Sequence, residues 1–275
     1  MESGERVVVV TGASSGIGNA CATFFAKKGE KVYGTCRNPS AFVRKADEFF
    51  EMVPLDVTDR ASVEKVAERI LAAEKRVDCL VCCAGSGLLG PAEDTSLDEA
   101  ASVMDVDYLG TVRVIKAFLP AMREAGGARI AILSGLEGAA PPPFQGFFAA
   151  AQSALEAFAE SLRAEVAPFG IEAGIVELGP FRTAFVQHRV LASGYGERSP
   201  YKELFESAMG VLASAEAASA DPLLAAKAVY GALSARKVPA RLAVGAMTRR
   251  ALAWARRWLP SNVYEFLVRR YFRLG

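Results

Sequence analysis

The chain has 275 residues, 52% hydrophobic and 23% charged, the proportions of a globular protein with a well-filled core. A net charge of +1 argues against nucleic acid as the main partner, because counterion release needs a clustered basic surface. No N-terminal stretch reads as a signal peptide and no apolar run approaches the roughly 18–20 residues that span a bilayer, so a cytoplasmic protein is expected.

In chain order, apolar strands are predicted over 6–10, 31–35, 51–54, 79–82, 128–133, 171–176 and 241–244, with helical patterns between them. The first strand runs into Thr11-Gly12-Ala13-Ser14-Ser15-Gly16-Ile17-Gly18, and a helix over 17–28 follows at once. In that turn Gly12 permits the tight bend, Gly16 lets the backbone approach a pyrophosphate, and Gly18 allows close helix–sheet packing. The helix N-terminus offers free N–H groups to the phosphates, and Ser14 and Ser15 can add hydroxyl contacts. The second strand ends at Thr35-Cys36-Arg37, about 20 residues past the glycines, where an acid would hold the ribose of NAD. Arg37 suits a 2′-phosphate instead, so the expected cofactor is NADP(H) ahead of NAD(H).

Asn38-Pro39 reads as an N-cap with proline at the first helical position. The five cysteines all lie before residue 84 and fit reduced thiols better than a disulfide framework. Cys79, Cys82 and Cys83 sit on a strand that turns 79 and 83 one way and 82 the other, without a nearby His, so core thiols are expected and no metal site. Ser96-Leu97-Asp98-Glu99 is a capping box opening a long helix to about Glu124. A second long helix spans 146–167, and Asp221-Pro222 opens another.

Residues 181–220 interrupt the alternation with His188, Gly194, Tyr195, Gly196, Pro200 and an Ala/Ser-rich helix. They follow a strand's C-terminal end, where open α/β sheets bind ligands, and read as a substrate lid. Residues 247–275 carry seven arginines against one glutamate. Arg249-Arg250 and Arg256-Arg257 share a helix face; Pro260 stops that helix, and Val263, Phe266, Leu267, Tyr271 and Leu274 stripe the next. Such a basic amphipathic tail can make peripheral contact with an anionic membrane, or dock on its own domain or a twin subunit. Strand–helix alternation without repeat or linker predicts one domain over 1–275. Its expected architecture is α/β: a doubly wound, Rossmann-type, seven-stranded parallel sheet with helices on both faces, a lid over about 181–220 and C-terminal helices over 247–275.

Thr11–Gly18, Leu55-Asp56-Val57, Val81-Cys82-Cys83-Ala84-Gly85 and Gly179-Pro180-Phe181-Arg182-Thr183 resemble the short-chain dehydrogenase/reductase superfamily. Gly87-Leu88-Leu89-Gly90-Pro91, Gly110-Thr111-Val112-Arg113 and Ala117-Phe118-Leu119-Pro120 resemble its branch of 17β-hydroxysteroid and retinol dehydrogenases. The resemblance covers about residues 5–185. It implies that Asp56 and Val57 meet the adenine, that Ala84-Gly85 passes the ribose, and that Thr183 reaches the carboxamide. Cys83 replaces the family's asparagine in Asn-Ala-Gly, and Leu178 its proline in Pro-Gly. It also implies a homodimer or homotetramer built on the helices over 97–124 and 146–167.

The family's chemistry uses a tyrosine acid, a lysine one helical turn later, a serine that polarises the carbonyl, and an asparagine that holds a relay water. The matching positions here are Phe148, Gln152, Gly135 and Asp107, so all four have changed. A positioned acid–base group is worth about 10²–10⁴-fold, and Phe148 has no proton to give. The backbone amides and Arg37 that hold the cofactor are intact. The leading expectation is therefore an NADP(H)-binding, oxidoreductase-like protein deficient in carbonyl/alcohol hydride transfer: a pseudoenzyme, sensor or partner subunit. One alternative is an NADP-dependent oxidoreductase on a small apolar alcohol or carbonyl with substitute proton donors among Glu137, His188, Tyr195 and Tyr201. Another is a non-redox acid/base enzyme, a dehydratase or isomerase, using Asp107 and Glu137. Residues 139–143 with Phe144, Phe147, Phe148 and Phe185 would give the cleft apolar walls for a small apolar ligand.

Overall fold

The computed structural model describes residues 5–42, 49–246, 251, 255–256 and 258–275. Seven parallel strands form the sheet: β1 (Val7–Val10), β2 (Lys31–Cys36), β3 (Glu51–Pro54), β4 (Cys79–Cys82), β6 (Ala128–Gly135), β7 (Ile171–Leu178) and β9 (Arg241–Val244). Their order is β3-β2-β1-β4-β6-β7-β9, so the winding reverses between β1 and β4. Both faces are covered, which is why these strands are apolar on both sides. Val7 and Val9 of β1 face one core layer and Val8 and Val10 the other. Leu80 and Cys82 of β4 likewise oppose Cys79 and Val81.

One layer belongs to α2 (Arg60–Glu74), α4 (Gly110–Glu124) and α5 (Gly146–Val166), through Ile70, Phe118, Met122 and Leu155. The other belongs to α1 (Gly16–Lys27) and α7 (Pro222–Ser234), through Phe25, Val229 and Leu233. Asp221 caps α7 by accepting the Leu223 N–H at 2.8 Å. The Ser96 box opens α3 (Leu97–Met104) with both reciprocal arms made.

The structure refines the local expectations. Helix runs from Leu97 to Glu124 as expected, but between α3 and α4 it widens into a π-helical stretch, Asp105–Leu109. Single π turns cluster at functional sites, and this one carries Asp107. Arg113 pins it, donating to the Asp105 carboxylate at 2.6 Å and to the Val57 carbonyl at 3.3 Å. Asn38 forms no side-chain cap; a short 3₁₀ turn, Pro39–Ala41, follows it, and residues 43–48 lie outside the described residues. A second small sheet, unforeseen in the sequence, pairs β5 (Leu88–Leu89) with β8 (Val190–Leu191).

The segment after β7 starts with a 3₁₀ turn at Ala184–His188 and, past β8, forms α6 (Lys202–Ala217). The basic helix expected before Pro260 falls mostly on residues outside those described. After it, α8 (Ser261–Phe272) packs Val268 and Phe272 against Ala208 and Leu212 of α6. Of the expected stripe, Leu274 joins that contact, whereas Val263, Phe266, Leu267 and Tyr271 are exposed. No helix among the described residues is long and apolar enough to cross a membrane.

Candidate functional site

At the C-terminal ends of the strands, where the winding reverses, lies a cavity of about 690 Å³. Its floor at one end is the glycine turn. Gly12 and Gly16 have φ of +69° and +57°, conformations that suit glycine. A Cβ at Gly18 would overlap the Gly12 carbonyl, so helix and turn touch backbone to backbone. Thr11 Oγ1 accepts the Cys83 and Ala84 N–H groups at 2.9 and 3.0 Å, tying β4's end to the turn. Ala13 N–H donates to the Thr35 carbonyl at 2.8 Å.

Gly12, Ser14, Ser15, Gly16, Ile17, Gly18, Arg37, Asp56, Val57, Cys83, Ala84, Gly85 and Thr183 all line this one cavity. A Cβ built at Gly16 would stand 3.4 Å from the Thr183 side chain, so the segment after β7 closes directly over the turn. Thr58 fixes Asp56 with its N–H at 2.9 Å and its hydroxyl at 2.7 Å. Those bonds, with Arg37 nearby, hold the Asp56 carboxyl below its usual range. Bare glycine surface at a helix N-terminus, a carboxylate beyond it and a neutral strand end between them fit a dinucleotide. The turn would hold its pyrophosphate and Asp56–Val57 its adenine, and the bound group would supply or accept hydride. Burial raises the Cys79, Cys82 and Cys83 thiols well above their usual range, and the five cysteines are free thiols.

At the other end three of the four positions, Asp107, Gly135 and Gln152, form one hydrogen-bonded unit with Ser86. Gln152 Oε1 accepts the Gly135 N–H at 2.9 Å, and its Nε2 donates to Asp107 Oδ2 at 2.9 Å. Asp107 Oδ1 accepts from the Ser86 N–H at 2.7 Å and the Ser86 hydroxyl at 3.1 Å. The polarity of this chain is forced. A backbone N–H can only donate, so Gln152 must present its oxygen to Gly135 and its amide nitrogen to residue 107. Residue 107 must then accept on both atoms, since the Ser86 N–H meets the other. An aspartate can do so; an asparagine would point an NH₂ group at a donor. Burial pushes the Asp107 carboxyl up to about 7, against the three hydrogen bonds that favour its charged form.

Phe148 turns into an apolar cluster with Leu88 and Val103, its ring 6.0 Å from that of Phe185. Both rings line the cavity. Glu137 lines it too, and a Cβ at Gly135 would overlap the Glu137 carboxylate, which therefore occupies the space of a side chain at 135. His188 borders both this cavity and the adjoining groove beside Arg37.

Other expected participants are elsewhere. The Tyr195 ring packs on Phe205 at 4.3 Å, and the Tyr201 hydroxyl donates to Glu93 at 2.7 Å; neither lines the cavity. Phe144 stacks on Phe205, and residues 139–143 and Phe147 also stay out of the lining, so the apolar wall is narrower than expected. Sequence reasoning missed Ser86 and the Arg189–Glu216 ion pair, which line the cavity, as does Ser134, the serine one position before Gly135. The Ser134 hydroxyl is buried without a hydrogen-bond partner among the described residues. Ser86 was in principle discoverable, being the residue after Ala84-Gly85.

The family described as short chain dehydrogenase matches residues 6–193. Over 269 residues, 98% of each chain, the protein is 31% identical to a 3-ketodihydrosphingosine reductase of Bacteroides thetaiotaomicron. It is 40% identical to human 17-beta-hydroxysteroid dehydrogenase type 1 over 199 residues, covering 68% of this chain and 60% of that one. A solved short-chain dehydrogenase from Streptomyces avermitilis superimposes with a TM-score of 0.81 at 32% identity, covering 92% and 93% of the two chains. On fold, cavity and sequence, the chain belongs to the short-chain dehydrogenase/reductase superfamily, whose members bind nicotinamide dinucleotides.

Proposed function

We propose that the protein binds NADP(H) in preference to NAD(H) and is deficient in the carbonyl/alcohol hydride transfer of its relatives, serving as a cofactor sensor or partner subunit. The carrying observation is the commitment of Gln152. Both ends of its amide are engaged by Gly135 and Asp107, and it carries no charge of the kind a lysine would offer a ribose and an acid. Phe148, beside it, cannot give a proton, and oxygen-stabilising hydroxyl chemistry at 135 is replaced by the Glu137 carboxylate, which repels developing negative charge. Arg37 at the end of β2 supports the NADP(H) preference. Free thiols support a cytoplasmic location, and the helices over 97–124 and 146–167 are the faces we assign to a homodimer or homotetramer.

A second reading, retained because relatives are named as reductases and dehydrogenases, is an oxidoreductase with a substitute acid. Asp107, titrating near neutrality on the cavity wall, is the group that favours it, and with Glu137 it would equally serve a dehydratase or isomerase. Titration of the purified protein with NADPH and NADH, followed by assays of NADPH oxidation with ketones and aldehydes, separates the readings. Tight NADPH binding without turnover is expected. Turnover that disappears in Asp107→Asn would replace the first reading by the second.

A further inference from the structure

Charge is unevenly divided along the chain. Residues 247–275 hold seven arginines and one glutamate, whereas the remainder holds 25 Lys and Arg against 30 Asp and Glu. Both tryptophans of the protein also lie in this tail, at 254 and 258. Helix α8 divides its apolar residues between two sides. Val268 and Phe272, at spacing i, i+4, pack on α6. Val263, Phe266, Leu267 and Tyr271, at spacing i, i+3, i+4, i+8, lie exposed, with Phe266 at 61% and Trp258 just upstream at 73%. Arg270 lies within that stripe by its spacing and Arg269 and Arg273 flank it, all exposed, with Glu265 4.0 Å from Arg269 as the one acid of the helix.

We propose that this face of α8, with Trp258, docks the protein on an anionic phospholipid surface. A helix lying in the interface needs an apolar stripe to enter the acyl boundary and cations to meet the headgroups, and α8 supplies both without unfolding its contact with α6. The choice of lipid over a second copy rests on charge. A symmetric contact would bring two arginine-rich stripes together, whereas an anionic bilayer neutralises each. The docking helix rests on α6, which lines the cavity through Leu212 and Glu216, so the cavity wall stands one helix away from the lipid.

The full chain is sedimented with vesicles of phosphatidylcholine alone and of phosphatidylcholine mixed with phosphatidylglycerol. Binding to the mixed vesicles only, weakened by salt and accompanied by a blue shift of tryptophan emission, is expected. Phe266→Glu with Leu267→Glu should abolish it while the thermal unfolding midpoint stays unchanged, because both positions are exposed. Neutralising Arg269, Arg270 or Arg273 to Gln should each weaken binding about fivefold. Absence of binding to the anionic vesicles, or equal binding by the double variant, overturns the proposal. A particle mass that falls in the double variant, without vesicle binding, overturns it in favour of a contact between copies through α8.

Discussion

The two ends of the cavity differ in what they are made of. The end at Gly12–Gly18 is built from backbone: φ angles, N–H groups and glycines that leave no room for a Cβ. The end at Asp107, Gly135, Phe148 and Gln152 is built from side chains. Backbone geometry tolerates drift at neighbouring positions, so the first end keeps the family's form. Side-chain chemistry can be exchanged one group at a time, and here Gln152, Gly135, Asp107 and Ser86 are hydrogen-bonded to one another. On the function proposed above, cofactor capture and cofactor use are separable within a single fold.

The sharpest way to break the contrast is to rebuild the reactive end. Asp107→Asn, Gly135→Ser, Phe148→Tyr and Gln152→Lys combined should raise NADPH-dependent ketone reduction by about 10²–10⁴-fold over the unaltered chain. Glu137 must swing aside to admit the serine, and its carboxylate is the flexible end of a side chain. Continued inactivity with cofactor still bound would mean that the difference lies in more than these four positions. Next in size, Arg37→Ser should weaken NADPH about 10–100-fold in a fluorescence titration and leave NADH nearly untouched. Equal losses for both cofactors would remove the 2′-phosphate from the argument.

A smaller effect tests the network itself. Asp107→Asn alone should cost roughly 1–3 kcal/mol in urea unfolding near pH 8, since two donors are then forced to face each other. Its pH dependence carries a sign. The folded Asp107 carboxyl titrates at about 7, above the unfolded value of about 3.9. The native state therefore holds the proton longer, and this group's contribution is full below pH 4 and lost as pH rises through 7. The variant should show a flatter stability profile across that window, and an unchanged slope would assign the titration elsewhere. Smallest of all, Ser96→Ala should cost about 1 kcal/mol through the lost cap of α3 while leaving NADPH affinity within twofold.

Features set by local chemistry were readable before the coordinates. The valine run, the glycine turn, the Ser96 box and Asp221-Pro222 each declare themselves within a few residues. The π stretch did not, because Asp105–Leu109 sits inside a longer helical pattern and departs from α geometry where Arg113 reaches the Val57 carbonyl in the loop after β3. Nor did the route of Gln152. The sequence shows an amide where a lysine is expected, and only the fold reveals that both its ends are taken. The β5–β8 pair has two residues a side, too few for any periodic signal. In and just after α8 the residues that pack beside α6 are Val268, Phe272 and Leu274, and only the last belongs to the stripe that the spacing marks out.

The Glu99 carboxylate serves two segments at once. One oxygen takes the Ser96 N–H at 2.9 Å, and the other takes the Ser193 N–H, just past β8, at 2.8 Å. Its acidity is strengthened to about 2 chiefly by those backbone donors, so ordinary acidification does not undo the clasp. Lifting the strand at Val190–Leu191 therefore tugs on the first turn of α3, whose far end leads straight into the stretch that presents Asp107. One helix therefore joins the small sheet of Leu88–Leu89 and Val190–Leu191 to the buried Asp107 carboxyl.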